Sequence, residues 1–351
     1  MKQPQQLLTA SRIATYLGCQ RRHFYRYEIG LDTESHSEAL RFGTAWHTAM
    51  ELRAEGVPYD DIGVTMTTHL DGLPWVQINV MLAGYYRLYG DGGQQDLDYE
   101  PLLTEEEFTH SIDGSRAFKA GGKIDKVVRL PDGRSALMEH KTTSDSLDDD
   151  SGYWLRMRNS VQNYQYGGAT IRAGWDIHSI IYDVVRKPTI RPLSSVPCLD
   201  EDGRKIIVGP DGERLIKSNG EPYASVPKNV DGHALTREET LEEYAERLLA
   251  DVLMRPDFYY ARREIPILHD DLMAFEAQRQ EIAKEILHKR SRERLHPDRP
   301  RELAWFKNVS QMSCQSCPFS GFCLQNIPVD PANPPVGFIV GEQNPELETV
   351  E

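Results

Sequence analysis

Gly122-Lys123-Ile124-Asp125-Lys126 and Leu137-Met138-Glu139-His140-Lys141-Thr142-Thr143 are the two stretches that decide the predicted fold. Between them, Pro131-Asp132-Gly133 is typical of a tight turn, so the flanking segments are predicted to pair as a β-hairpin. In such a hairpin Asp125 and Glu139 lie opposite or diagonal to each other, with their side chains about 5–8 Å apart. Two carboxylates at that separation can share one cation.

The hairpin also carries a lysine in a position to serve the same site. Glu139 and Lys141 are two residues apart, so both point to one face of their strand. Oxygen ligands of this kind select hard ions such as Mg²⁺ or Mn²⁺. A lysine beside the ion can orient or deprotonate a water molecule, or offset charge that builds on a phosphate. The alternative is a ladder of surface ion pairs across the hairpin.

Two predicted helices around the hairpin carry further candidates. His47, on a helix over residues 40–52 with Gly43 one turn earlier, can add an imidazole ligand, and its alternative is a hydrogen-bonded core histidine. Gln162 and Tyr166 lie one turn apart on the helix that follows the hairpin, where an amide and a phenol could meet phosphate, base or water. Their alternative is a polar helix face.

The order of elements predicts an α/β fold. Predicted helices start after Ser11 and cover 40–52, 75–89, 152–173, 236–254 (capped by Thr236-Arg237-Glu238-Glu239) and 270–294. Predicted strands cover 108–112, 117–130, 135–142, 178–185 and 258–268. Residues 188–232 contain three Asp-Gly or Asn-Gly turns and are interpreted as an inserted, hairpin-rich lobe or a long loop. We find no internal repeat and no phosphate-binding loop of the Walker type, so nothing indicates an ATP motor.

Composition describes an ordinary globular protein with 39% hydrophobic residues and a formal net charge of −14. No apolar run approaches the ~20 residues that a membrane helix needs, and the first residues lack the apolar core of a signal peptide, so we expect a cytoplasmic protein without membrane contact. The acidic balance argues against a histone-like coating protein but is compatible with a local basic groove for nucleic acid. Residues 327–351, rich in proline and acid, are expected to form a disordered tail.

Three of the five cysteines form the cluster Cys314-x2-Cys317-x5-Cys323. A tetrahedral zinc ion or an iron–sulfur cluster needs four thiolates, so a fourth must come from elsewhere. Cys19, just past a capped helix, is a better candidate than Cys198, which lies in the turn-rich insertion. Zinc stays open as an alternative, although zinc ribbons usually draw both cysteine pairs from nearby sequence.

Basic and aromatic side chains alternate directly after Cys19, in Arg21-Arg22-His23-Phe24-Tyr25-Arg26. Such a stretch can contact phosphates and stack on unpaired bases, and residues 289–301 offer a second basic segment. Solvated helix faces are the alternative for both segments.

Taken in order, these motifs resemble the PD-(D/E)XK nucleases of the RecB type. More narrowly they resemble the branch with an iron–sulfur cluster, which includes the CRISPR-associated exonuclease and phage or helicase-linked relatives. The resemblance spans residues 11–323, and it departs at Cys19-Gln20, where the family usually has Cys-Pro, and at the insertion. It implies a restriction-endonuclease-like core, in which a central mixed sheet is flanked by helices.

The resemblance also implies roles for single residues. Metal ligation would come from the side chains of His47, Asp125 and Glu139 and from the backbone carbonyl of His140. Lys141, Gln162 and Tyr166 would join Asp125 and Glu139 in catalysis or would position the DNA. A 4Fe-4S cluster would be held by four cysteines, namely Cys19, Cys314, Cys317 and Cys323.

We therefore expect a metal-dependent exonuclease that acts on single-stranded DNA from a free end, in recombination, repair, or CRISPR or phage DNA processing. Protein partners would belong to recombination or CRISPR adaptation. The alternative is a non-cleaving DNA-binding or partner module stapled by iron–sulfur or zinc. The expected divisions are an N-terminal helix with the first cysteine (1–30), a nuclease core (31–187), the insertion (188–235), C-terminal helices with the cysteine loop (236–326) and the tail (327–351).

Overall fold

The computed structural model describes residues 5–35, 37–66, 70–90 and 99–341. Twelve strands lie in these ranges: β1 (Gln6–Leu8), β2 (Leu31–Thr33), β3 (Glu100–Ser111), β4 (Phe118–Arg129), β5 (Ser135–Thr143), β6 (Ile177–Arg186), β7 (Val196–Pro197), β8 (Ile207–Val208), β9 (His233–Ala234), β10 (Thr236–Arg237), β11 (Tyr260–Pro266) and β12 (Phe338–Val340).

The same ranges contain twelve α-helices: α1 (Ala10–Gly18), α2 (Gln20–His23), α3 (Glu38–Ala54), α4 (Tyr59–Thr65), α5 (Gly72–Tyr89), α6 (Gly152–Arg158), α7 (Val161–Arg172), α8 (Leu241–Met254), α9 (Pro256–Tyr259), α10 (His269–Leu295), α11 (Gln311–Gln315) and α12 (Ser320–Leu324). A π-helical turn (Phe24–Glu28) follows α2, and a 3-10 turn (Arg301–Ala304) follows α10. None of the helices in the described ranges is long and apolar enough to cross a membrane.

A six-stranded mixed sheet forms the centre of the fold, in the order β1-β4-β5-β6-β11 with β3 paired to β4. The pairs β1–β4 and β5–β6 are parallel, whereas β3–β4, β4–β5 and β6–β11 are antiparallel. Helices α3, α5 and α8 share one hydrophobic core, while α1 and α10 share another. The predicted α/β class, with a central mixed sheet flanked by helices, is confirmed.

The predicted hairpin is present as β4 and β5. Gly133 closes the turn with φ of +87°, a conformation that glycine adopts without strain, and its N–H donates to the Leu130 carbonyl at 2.9 Å. The β4–β5 ladder ends at the pair Lys126–Met138. Beyond that pair β5 continues beside β6 alone, so the two strands part where the next residues, Asp125 and Glu139, stand.

Several predicted helix limits are wrong, each because a nearby residue caps the helix instead. Thr9, rather than Ser11, is the N-cap of α1. The segment 152–173 is two helices, since Ser160 caps a new start for α7. Helix α8 begins at Leu241 instead of 236, because Thr240 and Glu243 form the capping box that the sequence also offers four residues earlier.

The three Asp-Gly or Asn-Gly turns predicted in the insertion are present. Three turns, at 200–203, 209–212 and 217–220, each end in a glycine whose N–H donates to the first carbonyl of the turn at 2.9–3.0 Å. The three glycines have φ of +75°, +83° and +84°. The turns recur every eight or nine residues, a short repeat that the sequence analysis did not identify.

The expectation that the tail from residue 327 onward is disordered is wrong for its first part. Phe338–Val340 forms β12, which pairs antiparallel with β2, and the Phe338 ring packs against Phe319 and Phe322. Residues 338–340 therefore pair with β2, and the composition of the tail gives no sign of this partner strand. Residues 342–351 lie outside the described part of the chain.

Candidate active site

The divergence of β4 and β5 opens a cleft of about 220 Å³ that brings most of the predicted catalytic residues together. Its walls come from β3, β4, β5, the N-terminus of α1, and helices α3 and α7. The lining residues are Thr9, Ala10, Ser11, His47, Glu105, Gly122, Lys123, Asp125, Lys141, Gln162 and Tyr166.

Asp125 is held between two neighbouring elements. Its Oδ2 accepts a hydrogen bond from the backbone N–H of His140 at 3.0 Å and lies 3.4 Å from Nδ1 of His47 on α3. Burial acts to raise the pKa of Asp125, but the charge of His47 and the ammonium of Lys141 outweigh it and keep that pKa below its ordinary value. Asp125 is therefore ionised.

Glu139 is fully buried, and its two oxygens have different surroundings. Oε2 accepts hydrogen bonds from Nζ of Lys141 at 3.1 Å and from Nε2 of Gln162 at 2.6 Å. Oε1 has no hydrogen-bond partner among the described residues. Burial, with Asp125 nearby, raises the pKa of Glu139 to about 8. A buried carboxylate oxygen without a donor is costly unless a cation meets it, so this oxygen fits a divalent metal ion.

As they stand, the side chains do not form a closed metal cage. Within the described residues, no three His, Cys, Asp or Glu side chains are close enough to surround one ion. Asp125, Glu139 and His47 contribute oxygen and nitrogen donors. Small divalent cations such as Mg²⁺ usually keep several water ligands in addition to those from the protein, so they do not need a closed cage of side chains. The donor set therefore suits Mg²⁺ or Mn²⁺.

The His140 ring points away from the cleft, because it alternates with Glu139 and Lys141 along β5. Its Nδ1 lies 2.9 Å from Asp183 on β6, and its Nε2 lies 3.0 Å from Nζ of Lys126 on β4. Burial lowers the pKa of His140 to about 4, so the ring is neutral, donating to Asp183 and accepting from Lys126. This contact fixes the backbone that donates to Asp125.

Asp183 joins that histidine to two further buried side chains. It accepts from Nε of Arg262 at 2.9 Å and from the hydroxyl of Tyr85. Arg262 in turn donates to the Tyr85 hydroxyl at 2.7 Å. Sequence reasoning missed this network, although an aspartate inside the apolar run of β6 was a usable signal, since a buried carboxylate needs partners.

Gln162 and Tyr166 both lie on α7, as predicted, and both line the cleft. The Tyr166 ring meets Phe108 edge to face, with ring centroids 5.5 Å apart. A Cβ atom at Gly122 would come within 2.7 Å of the Tyr166 ring, so this glycine permits the close approach of α7 to β4. Gly43 has no such role, because a Cβ there would meet only Thr142 Oγ1, at 3.5 Å.

Two charged residues of the cleft, Glu105 and Lys123, were given no role by the sequence prediction. Glu105 on β3 has a φ of +52° and forms an ion pair with Lys123, with a 2.5 Å separation of Nζ and carboxylate oxygen. Burial raises the pKa of Glu105, and Lys123 partly offsets that effect. The predicted strand began only at 108, because the acidic run before it lacks the alternation of a half-buried strand, so Glu105 was not considered.

The four cysteines predicted to act together line one hollow at the other end of α1 from the cleft: Cys19, Cys314, Cys317 and Cys323. Arg22, Tyr25 and Lys307 stand beside them. Cys198 lies in the insertion, outside this hollow. All five cysteines are free thiols.

The prediction that the basic and aromatic residues at 21–26 form a surface for stacking on bases is wrong. Phe24 and Tyr25 are 2% and 1% exposed, and they pack against Trp305 and Phe319. Arg21 is also buried, donating from Nε to the Trp305 carbonyl at 3.1 Å. These side chains form the core that joins the two ends of the chain.

Comparison with models of known protein families gives one match. The family model described as PD-(D/E)XK nuclease superfamily matches residues 7–324. No curated protein matches the sequence. Among solved structures, the crystal structure of SSO0001 aligns with 73% of this chain and 79% of its own, at 12% identity and a TM-score of 0.25.

Proposed function

Since this chain belongs to the PD-(D/E)XK nuclease superfamily, we propose that it is a metal-dependent deoxyribonuclease whose reaction takes place in the cleft between β4 and β5. The observation that carries the proposal is the Asp125–Glu139 pair, with Oε1 of Glu139 buried and without a donor. The same pair has Lys141 beside it at hydrogen-bond distance. A mere ladder of surface ion pairs would leave all three side chains exposed, whereas Glu139 is fully buried.

Asp125, Glu139 and His47 would hold the metal ion, together with the backbone carbonyl of His140. When bound, a divalent cation supplies Lewis-acid activation of the phosphodiester and of the attacking water. The hydrogen bond from the His140 N–H keeps Asp125 oriented. Gln162 does the same for Glu139, because its amide donates to Oε2 and leaves Oε1 to the ion.

Lys141 is the residue that would act on the reacting phosphate. Burial acts to lower its pKa, but the carboxylates of Glu139 and Asp125 outweigh burial and raise it, so the amine is protonated. A protonated lysine there can donate to a phosphate oxygen as charge builds in the transition state. Tyr166, on the same side of the cleft as Gln162, would position the DNA strand.

The finer parts of the proposal rest on the resemblance to the iron–sulfur branch of the family. They are exonucleolytic action on single-stranded DNA and partners from recombination or CRISPR adaptation. The protein has a net charge of −14, so long-range attraction between opposite charges cannot hold DNA on it. DNA binding therefore requires a local groove with basic side chains. The buried aromatic residues at 24–25 give no support to a preference for single strands.

We also propose a 4Fe-4S cluster in the cysteine hollow. Four thiolates from opposite ends of the chain meet there, which is the donor set that such clusters use. Zinc is the alternative, because four cysteine thiolates also suit a single tetrahedral ion. The separation of Cys19 from the other three cysteines along the sequence favours the cluster, since zinc ribbons usually draw both cysteine pairs from nearby sequence.

One experiment tests nuclease action and cluster together. Protein is purified without oxygen, its iron and zinc are measured, and it is incubated with Mn²⁺ or Mg²⁺ and linear or circular DNA. The variant Lys141→Ala, purified in parallel, controls for contaminating nucleases. Equal cutting by parent and variant would refute the nuclease assignment, and one zinc without iron would refute the cluster. The non-cleaving module predicts DNA binding by both proteins and cutting by neither.

A further inference from the structure

An ion pair that the proposed mechanism does not use lies on the wall of the catalytic cleft. It joins Lys123 on β4 to Glu105 on β3, and both side chains line the cleft with Asp125 and Lys141. The Lys123 side chain is 24% exposed, so a ligand in the cleft can reach its ammonium group.

Strand pairing places this ion pair beside the proposed metal site. The register on either side, at Thr104 and Glu106, puts Glu105 opposite Asp125. Lys123 precedes Asp125 by two residues on β4 and therefore shares its face of the strand. The ammonium thus stands next to the place where a phosphate must lie for the proposed reaction.

Glu105 reaches this position with a backbone conformation that glutamate rarely adopts. Its φ of +52° lies in the left-handed region, and among the described residues Asn326 is the only other non-glycine residue with a positive φ. Asparagine tolerates that region, whereas glutamate is strained in it. Strain of this kind persists where the surrounding structure enforces it, and it gathers at functional sites.

We propose that Lys123 binds a phosphate of the DNA strand and that Glu105 is the positioning residue that aims its ammonium. This inference rests on the proposed nuclease function. An ammonium group has three N–H donors, so the bond to Glu105 leaves two for phosphate oxygens. Lys141, the other lysine of the cleft, is paired with Glu139 at 3.1 Å and acts on the reacting phosphate in the proposed mechanism.

Glu105 also keeps Lys123 away from the proposed metal ligand. Besides Glu105, the carboxylates that act on the Lys123 ammonium are Glu51 and Asp125. Without Glu105, the flexible lysine chain would turn toward one of these and away from the substrate. Loss of Glu105 should therefore weaken DNA binding, whereas electrostatics alone predicts tighter binding when a negative charge leaves the cleft.

The test measures binding of a single-stranded oligonucleotide by fluorescence anisotropy over a series of salt concentrations. All variants carry Lys141→Ala, so the strand stays intact while Mn²⁺ is present. Lys123→Gln should weaken binding by roughly three- to tenfold and reduce the salt slope by about 0.7, the value for one lost phosphate contact. Lys119→Gln, the same change on the same strand but outside the cleft, should alter neither quantity.

The variant Glu105→Gln tests the positioning role, because the two explanations predict opposite changes in DNA-binding affinity. It should weaken binding in the parent background and have no further effect when Lys123→Gln is present, because it acts through that lysine. Tighter binding, or an equal effect in both backgrounds, would overturn the role of Glu105. Lys123→Arg should keep the salt slope, which shows that the fold tolerates change at this position.

Failure of this inference and failure of the nuclease proposal give different results. If the chain with Lys141 intact cuts DNA but Lys123→Gln leaves affinity and salt slope unchanged, the phosphate contact is refuted and the nuclease stands. If that chain does not cut DNA at all, the nuclease proposal and this inference fail together.

Discussion

Thr9 and Cys19 are the N-cap and the C-cap of the same helix, α1. Thr9 lines the proposed catalytic cleft and Cys19 lines the cysteine hollow, so one nine-residue helix about 14 Å long joins the two places. Because one continuous helix connects them, we expect a displacement of Cys19 to move residues 9–11 in the wall of the cleft as well. The cysteine hollow is therefore expected to support the active site as well as the fold.

Cys19→Ser should lower the melting temperature and the yield of soluble protein. A cluster that ties Cys19 to Cys314 closes a loop of about 295 residues, worth roughly 5–6 kcal/mol in the chain-entropy model. Thermal unfolding of anaerobically purified protein measures the effect, and Cys198→Ser is the matched control. The cluster proposal fails if the two serine variants melt alike.

Asp183→Ala should destabilise the protein by about 3–5 kcal/mol, because Arg262 would keep a buried charge without its carboxylate partner. His140 would lose its acceptor in the same step. Chemical denaturation with a constant m-value is the appropriate measurement. Asp176→Ala, which breaks an exposed pair with His178 beside the same strand, should leave the denaturation midpoint unchanged. Equal midpoints for both variants would contradict the network.

Gly122→Ala should reduce activity, since the added methyl group would collide with the rings of Tyr166 and Phe108. Overpacking of this kind costs about 1–3 kcal/mol and would push α7, with Gln162, away from β4. Gly43→Ala is the control, because its methyl group meets only one atom at ordinary contact distance. Activity and melting temperature are measured for both, and a fully active Gly122→Ala protein would show that α7 need not approach so closely.

Circular and linearised forms of one single-stranded DNA test the proposed need for a free end. We expect loss of the linear form and survival of the circle, followed on a denaturing gel. Equal rates of loss would exclude the end requirement. Rapid cutting of closed duplex circles would also exclude the preference for single strands.

The hairpin was predictable from sequence because its signals are local. Pro131-Asp132-Gly133 sets the turn, and the turn sets the register that brings Asp125 and Glu139 together. The interior position of Phe24 and Tyr25 was not predictable, because Trp305 and Phe319 cover them from nearly 300 residues away. Surface and core aromatics look alike in a sequence until the partner that covers them is known.

The cleft shows the same division between local and distant signals. Lys141 and Gln162 follow from strand alternation and helical spacing, and the structure brings both to Glu139. Glu105 reaches the cleft because its own backbone adopts a left-handed conformation inside β3. Glutamate rarely adopts that conformation, so the sequence gives no sign of it. Its place opposite Asp125 comes from strand pairing alone.

The central claim is that Glu139 holds a divalent ion that DNA cleavage requires. Glu139→Gln keeps the shape of the side chain and removes the charge, so it tests this claim more directly than truncation does. With Mn²⁺ and linear single-stranded DNA, the parent should cut and Glu139→Gln should show no cutting above that of protein incubated with a chelator. Cutting by Glu139→Gln at the parental rate, with both proteins equally folded, would contradict the account.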